Sequence, residues 1–184
     1  MIHQDVLPQI LYHTLVDHVR STVITLLTVS KEWNRVTTIL IPEIFIDDMT
    51  THDQLLAYFT HVETLSLNDS GITGQGLLLM TNLTKLDLRH DRKITDEYLT
   101  LTGLRSLKLL HNDVIVGYSI SNLVNLTSLD LYGNGNVDDE CLYLLTNLAK
   151  LDIGENCGIT GDCVSMLTNL TTLGLNGNDY IEID

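Results

Sequence analysis

Apolar residues recur along the chain in triplets with the pattern Leu-x-x-Leu-x-Leu. Successive triplets begin 21 residues apart in the first three steps and 22 residues apart in the last three. So regular a spacing predicts a repeat array, in which every unit adds the same element to a stack. The seven triplets are Ile41/Ile44/Ile46, Val62/Leu65/Leu67, Leu83/Leu86/Leu88, Leu104/Leu107/Leu109, Leu126/Leu129/Leu131, Leu148/Leu151/Ile153 and Leu170/Leu173/Leu175.

Each triplet predicts a short strand, because its last two apolar residues flank a single polar one. In the fifth unit this places Leu129 and Leu131 on one face of the strand and Asp130 on the other. The acidic start of residues 138–145 predicts a helix after the strand. One unit cannot bury its own apolar side, whereas stacked units form a parallel sheet with an exposed polar face. A further aliphatic residue returns the chain to the core at Ile72, Ile94, Val137, Ile159 and Ile181.

The pattern resembles the leucine-rich-repeat family, whose motif continues to an Asn or Cys at the ninth position. Four units have this residue, at Asn112, Asn134, Asn156 and Asn178. In the family its side chain bonds free backbone groups of neighbouring coils. The resemblance implies an α/β leucine-rich-repeat solenoid over residues 41–184, with six repeats and a partial seventh. Asp91 and Ser70 could do part of the Asn's work, whereas Met49 could not, so we expect an irregular first coil.

Residues 5–36 do not fit the repeat and predict two or three short helices, the first opened by Pro8. With Leu7-Pro8 near the start and Val29-Ser30-Lys31-Glu32-Trp33 at the end, this stretch resembles an F-box, although Gln9 stands where that family has an acidic residue. The resemblance implies an F-box-like helical module over residues 1–40 that docks to the Skp adaptor of a cullin-RING ligase. The implied adaptor contacts are Leu7, Pro8, Ile10, Leu11, Leu15 and Val29, while Trp33 holds the helices together.

The combined resemblance is to F-box/leucine-rich-repeat proteins, and it implies the substrate-recognition subunit of an SCF-type ubiquitin ligase. Catalysis would belong to other subunits. Compact cassettes of this kind also resemble those of large DNA viruses of amoebae, including the marseilleviruses. The alternative is a stand-alone scaffold whose N-terminal helices only cap the first coil, since a terminal repeat must shield an apolar edge.

The formal net charge of −14 argues against a nucleic-acid partner and favours basic partners. Target contact is expected on the exposed strand face, where an open sheet supplies little of the desolvation that an enzyme site needs. No arrangement of residues indicates an active site or a cofactor. The residues predicted to bind a target are Lys85, Asp87, Arg89, Lys108, Asp130, Tyr132 and Lys150.

Other candidate chemistry has simpler explanations. His90 and His111 share one place in adjacent repeats, where a metal pair is conceivable but solvated rim residues are expected, because no third ligand is apparent. Cys141 and Cys163 also share one place, and we expect two small buried residues rather than a disulfide.

The remaining expectations concern location and assembly. No apolar run approaches the ~20 residues of a membrane span, and residues 1–20 lack the features of a secretory signal. We therefore expect a cytoplasmic protein, in the host cytoplasm if it is viral. An open edge at the last strand, Leu173–Leu175, would allow dimerisation through that edge.

Overall fold

The computed structural model of the protein describes residues 43–46, 53–68 and 70–181. The predicted F-box-like module, all six implied adaptor contacts, Trp33 and Met49 lie outside these residues. The irregular first coil expected from Met49 therefore stays a prediction.

Seven short strands form one parallel sheet in which the order in space follows the order in sequence. The strands are β1 (Glu43–Ile46), β2 (Thr64–Leu67), β3 (Lys85–Asp87), β4 (Ser106–Lys108), β5 (Ser128–Asp130), β6 (Lys150–Asp152) and β7 (Thr172–Gly174). Each strand contains the middle apolar residue of one triplet, and these residues stand in register from Ile44 to Leu173. The predicted α/β solenoid of stacked repeats is thus confirmed.

A short helical segment follows each of the first six strands. Three are 3₁₀ helices, Asp53–Tyr58, Gln75–Leu79 and Asp96–Tyr98, and three are α-helices, Gly117–Ile120, Asp139–Leu142 and Gly161–Met166. The helix predicted within residues 138–145 is present but covers only one turn. Within the described ranges, no helix has the length and apolar character needed to cross a membrane.

The core lies between the sheet and the helical segments. The triplet residues of the second to sixth units are buried, as are the later aliphatic residues Ile72, Ile94, Val137 and Ile159. Leu173 and Leu175 of the last unit are only partly buried, because no described coil packs on their far side. Burial of apolar surface between neighbouring coils therefore holds the array together.

A ladder of buried asparagines links the turns, as the repeat motif predicted. Asn134 shows the arrangement: its side-chain Nδ2 donates to the carbonyl of Asn112 at 2.7 Å, while its Oδ1 accepts the N–H of Asn136 at 3.0 Å. Asn156 and Asn178 repeat this pattern one and two coils further on. Each side chain thus satisfies backbone groups of its own turn and of the preceding coil.

Asp91 and Ser70 do part of this work, as expected. The Oδ1 of Asp91 accepts the N–H groups of Lys93 and Ile94 at 2.9 and 3.0 Å. A carboxylate has no NH₂ group that could donate to a carbonyl of the preceding coil. The bond between these two coils is instead donated by the Ser70 hydroxyl, which lies 3.5 Å from Asp91 Oδ2. The ladder therefore continues into the second coil, but at this step the earlier coil donates the hydrogen bond and the later coil accepts it.

A second set of asparagines, immediately before each triplet, crosses between coils at the surface. Asn125 donates from Nδ2 to the carbonyl of Thr102 at 2.9 Å, and Asn82, Asn147 and Asn169 make the equivalent bond. Gly103 occupies this place in the third repeat and cannot make it. The recurring Thr-Asn dipeptide is thus a structural part of the repeat.

Aspartate and glycine alternate at the start of the helical segments, so that the structural period is two repeats. The sequence of residues at this place is Asp53, Gly74, Asp96, Gly117, Asp139 and Gly161. Each aspartate accepts hydrogen bonds from the next coil. Asp139, for example, accepts the N–H of Thr160 at 2.8 Å and its hydroxyl at 2.7 Å.

The glycines of this alternation make room for a side chain of the next coil. A Cβ at Gly117 would lie 1.6 Å from the Sγ of Cys141, and one at Gly74 would lie 2.3 Å from the ring of Tyr98. Gly161 differs, because the nearest atom to a Cβ there is 4.0 Å away, on Ile181. In the odd-numbered coils an aspartate therefore bonds to the next coil. In the even-numbered coils a glycine stands there instead and leaves space toward the next coil.

Candidate functional site

The exposed face of the sheet carries two columns of side chains in strict register. One column runs from Glu43 through Thr64, Lys85, Ser106, Ser128 and Lys150 to Thr172, and the other from Phe45 through Ser66, Asp87, Lys108, Asp130 and Asp152 to Gly174. Each lies opposite the buried apolar column because successive side chains of a strand point to opposite faces. We call these two columns, with the residues two positions after each of the strands β3 to β7, the strand face.

The seven residues predicted to bind a target all lie on the strand face. Five of them belong to strands β3 to β6, and Arg89 and Tyr132 lie two positions after the ends of β3 and β5. The Nε of Arg89 donates to Asp87 Oδ1 at 2.9 Å, and a second guanidinium nitrogen lies 2.9 Å from Oδ2. This hydrogen bond, and then the charge of Asp87, raises the pKa of Arg89. The pair presents one bidentate unit rather than two free charges.

Asp130 stands between a cation and an anion. Lys108 is its partner in β4 and Asp152 its partner in β6. Partial burial is the main cause that raises the pKa of Asp130, and the negative charge of Asp152 raises it further. The hydrogen bond from the Tyr132 N–H lowers the pKa, as do the positive charges of Lys108 and Arg89. The ionised form of Asp130 is therefore disfavoured in the folded protein relative to the unfolded chain, even though its Oδ1 accepts the N–H of Tyr132 at 3.1 Å.

Asp130→Asn is accordingly expected to stabilise the fold slightly at pH 7. The raised pKa means that the folded protein holds this proton more tightly than the unfolded chain, so the unfavourable contribution is present at neutral pH and disappears as the pH falls below the ordinary value for aspartate. Urea unfolding at pH 7 and at pH 3 measures the difference. A variant that is less stable at pH 7 than the original would contradict the assignment.

The rim beyond the strands is formed by residues in the left-handed conformation. His90, His111 and Glu155 have φ values of 57°, 52° and 52°, and the equivalent Gly133 and Gly177 have 64° and 69°. This conformation turns the backbone so that the His111 N–H donates to the carbonyl of Tyr132 at 2.9 Å, and the bond recurs in the neighbouring coils. The positive φ continues the interstrand bonding one step past the strands.

Aromatic rings stack along this rim. The ring centroids of His90 and His111 are 5.5 Å apart, and His111 meets Tyr132 edge-on at 5.6 Å. The Tyr132 hydroxyl donates to Glu155 Oε1 at 2.7 Å, which is the main cause that raises its pKa. The two histidines are exposed, as expected for rim residues, and the described residues contain no group of three or more side chains placed to hold a metal ion.

Three parts of the strand face were missed by sequence reasoning. Gly154 leaves room for the Tyr132 ring, since a Cβ there would lie 2.5 Å from it, and Gly174 leaves room for the Asp152 carboxylate at 2.6 Å. Phe45 is 64% exposed at a place where later units have polar residues. The signal in each case was a residue type that breaks the column, an apolar residue or a glycine.

Two of the three cysteines, Cys141 and Cys163, lie on the helical side, away from the strand face. Cys141 and Cys163 are both free, and Cys163 is fully buried while Cys141 is half-buried. Burial is the main cause that raises the pKa of Cys141 to about 11 and that of Cys163 to about 12. Thiols with such pKa values are poor nucleophiles at neutral pH, in keeping with the packing role expected for them.

Comparison with known proteins identifies the architecture. Neither a family model nor a curated protein sequence matches the chain. Among solved structures, the chain is similar to an internalin (inlF) of Listeria monocytogenes, with 23% identity and a TM-score of 0.61 over 84% of this chain and 46% of the other. It is also similar to the internalin C2 of that species, with 28% identity and a TM-score of 0.55 over 65% and 54%.

A third similar structure is a chain from the yeast complex of Rad7 and Elc1, with 19% identity and a TM-score of 0.56 over 72% of this chain and 41% of the other. The chain thus spans about half the length of the solved proteins that it resembles. The fold is an α/β leucine-rich-repeat solenoid.

Proposed function

We propose that this leucine-rich-repeat solenoid is a protein–protein interaction module whose strand face binds a target protein. The observation that carries the proposal is the strand face itself, an open surface on which charged side chains stand in register over four consecutive strands, β3 to β6. A surface of this kind recognises a partner by its shape and charge and needs no closed pocket.

The chemistry of the strand face favours a protein as the partner. Lys108 lies in register between Asp87 and Asp130, so the described strands present no continuous basic stripe that could follow a nucleic-acid backbone. Tyr132 and Phe45 add the aromatic contact area that is common in protein interfaces. Asp130, which lies in register between Lys108 and Asp152, is expected to contribute to binding.

We further propose that residues 1–40 dock to a Skp adaptor and that the array at 41–184 presents the target to an SCF-type ubiquitin ligase. The motif residues Leu7-Pro8 and Val29 to Trp33 support this role. One similar structure, from the complex of Rad7 and Elc1, contains a protein of this fold together with a second protein. Under this proposal the chain carries no active site, and it acts in the cytoplasm, which is the host cytoplasm if the chain is viral.

Two sets of variants test the two halves of the proposal in one affinity purification from eukaryotic cells. Leu7→Ala with Pro8→Ala is expected to abolish recovery of the Skp adaptor. Lys85→Glu with Lys108→Glu reverses two exposed charges of the strand face and is expected to remove the target while the adaptor stays bound. Arg92→Glu, at an exposed residue beyond the strand face, serves as the matched control, and circular dichroism checks that every variant is folded.

The outcomes separate the alternatives. If the original chain recovers a target but no adaptor from its proper host, the N-terminal helices act as a cap and the chain is a stand-alone scaffold. If the Lys85 and Lys108 variant recovers the same proteins as the original chain, the strand face is not the binding surface. Light scattering at high concentration tests the dimer proposed at the β7 edge, which a monomer would contradict.

A further inference from the structure

The charges of the described residues are divided between the two sides of the solenoid. The lysines and arginines lie in or beside the strands and in the turns that follow them, at Lys85, Arg89, Arg92, Lys93, Arg105, Lys108 and Lys150. The described helical segments and the residues that open them carry carboxylates alone, at Asp53, Asp96, Glu97, Asp138, Asp139, Glu140 and Asp162. The helical side is therefore strongly acidic.

Two of these carboxylates are free to meet a partner. Asp53, Asp96 and Asp139 are engaged with the next coil. Glu140 and Asp162, in contrast, are exposed, and within the described part of the chain their carboxylates have no hydrogen bond or ion pair. They occupy the same place in adjacent repeats, so they form a short row across the solenoid.

Beside this row lies a row of exposed apolar side chains. Leu144 and Met166 are 62% and 63% exposed and also share one place in adjacent repeats. Leu144 lies four residues after Glu140, and Met166 lies four residues after Asp162. Asp162 and Met166 both belong to the helix Gly161–Met166 and face the same side of it, and Glu140 and Leu144 are their equivalents in the preceding repeat, where Leu144 lies two residues past the helix Asp139–Leu142.

Tyr143 joins the two rows. It is 44% exposed, and partial burial and then the negative groups around it, among them Asp139 and Asp162, raise the pKa of its hydroxyl. The carboxylates thus affect the ionisation of Tyr143, which directly precedes Leu144 of the apolar row. We call Glu140, Tyr143, Leu144, Asp162 and Met166 the helical-side patch.

We propose that the helical-side patch is a second binding surface, and that its occupant is a basic amphipathic helix of a partner protein. A helix lying across the two coils places its apolar residues on Leu144 and Met166 and its lysines or arginines, one turn away, on Glu140 and Asp162. The charge of the patch selects this occupant, because Asp139, Glu140 and Asp162 act on it and the described helical segments contain no cation. A second copy would bring the same carboxylates to the contact and is repelled.

A synthetic peptide of leucine and lysine, patterned as an amphipathic helix, is the probe. Fluorescence anisotropy measures its binding to the full chain. Leu144→Ser with Met166→Ser is expected to weaken binding roughly tenfold or more, because two apolar side chains lose their contact. Glu140→Gln with Asp162→Asn is expected to weaken binding and to reduce its dependence on salt.

A matched control comes from the second repeat. Leu78 and Leu79 lie at the same repeat positions as Tyr143 and Leu144 and are 45% and 50% exposed, but Gln75 stands there in place of the acidic residue. Leu78→Ser with Leu79→Ser is therefore expected to leave binding unchanged.

Three results would overturn the proposal. The first is that the Leu144 and Met166 variant binds the peptide as tightly as the original chain does. The second is that the Leu78 and Leu79 control loses as much affinity as the Leu144 and Met166 variant. The third is that a peptide in which glutamate replaces every lysine binds as tightly as the lysine peptide. A dimer in light scattering that the Leu144 and Met166 variant abolishes would also overturn it, because the patch would then be a contact between copies. Since the strand face plays no part in this test, a failure here leaves the proposed target-binding function intact.

Discussion

Replacement of Asn112 by alanine is expected to lower the free energy of unfolding by on the order of 3 kcal/mol or more. The side chain is fully buried and serves four backbone groups. Its Nδ2 donates to the carbonyls of Leu88 and Asp91 at 3.0 and 2.8 Å, and its Oδ1 accepts the N–H groups of Val114 and Ile115 at 3.1 and 3.0 Å. Alanine leaves three of them without a partner, and an unpaired buried polar group is costly, whereas the carbonyl of Leu88 still accepts the N–H of Asp91 at 3.1 Å.

Two further variants isolate this effect by urea denaturation. Asn125→Ala removes a single surface bond, to the carbonyl of Thr102, and should cost no more than about 1 kcal/mol. Asn112→Asp keeps the Oδ1 acceptor but places a carboxylate oxygen against the carbonyls of Leu88 and Asp91. Near neutral pH we therefore expect it to lower the free energy of unfolding about as much as the alanine variant does. Equal losses for Asn112→Ala and Asn125→Ala would show that the buried ladder does not hold the coils together.

Gly117→Ala is expected to destabilise the array by about 1–3 kcal/mol, as overpacking of a close contact does. The new Cβ would stand 1.6 Å from Cys141 Sγ and 2.8 Å from Cys141 Cβ, so the two coils must move apart. Adding Cys141→Ala removes the contact with Sγ, which is the shorter of the two, and should restore part of the stability that Gly117→Ala loses. Thermal unfolding followed by circular dichroism measures both variants.

Gly161→Ala is the matched control, because this glycine also begins an α-helix. Its Cβ would meet nothing closer than 4.0 Å, and replacement of glycine at an unstrained helical place should leave stability unchanged or raise it by about 0.4–1 kcal/mol. If both substitutions had the same effect, the cost at Gly117 would come from the backbone and not from contact with the next coil.

Much of the fold could be predicted because the information for it lies within one repeat. The Leu-x-x-Leu-x-Leu spacing places every strand, and the ninth-position Asn identifies the buried ladder. The alternation of Asp139 with Gly117 and Gly161 could not be predicted in this way, since its meaning depends on what the neighbouring coil places opposite. A comparison of every second repeat would have detected the pattern, although not the contacts that it serves.

The strand face was predicted in composition and less well in its interactions. A polar residue between two buried leucines must face outwards, which correctly placed Lys85, Lys108 and Asp130. That Arg89 is bound to Asp87, and that Tyr132 is fixed by Glu155, depends on side-chain geometry between and within coils. Exposure follows from a local pattern, whereas pairing of exposed groups does not.

The alternation of aspartate and glycine also limits how such an array can grow or shrink by recombination. If the repeat that contains Gly117 were deleted, Asp96 would lose the N–H of Val116 and the hydroxyl of Ser119 and would instead face Asp138, a second carboxylate. Removal of two consecutive repeats restores every pairing of carboxylate and open space. A pair of coils is therefore the segment whose duplication or loss keeps each aspartate opposite its present type of neighbour, so length changes of this array should favour even numbers of repeats.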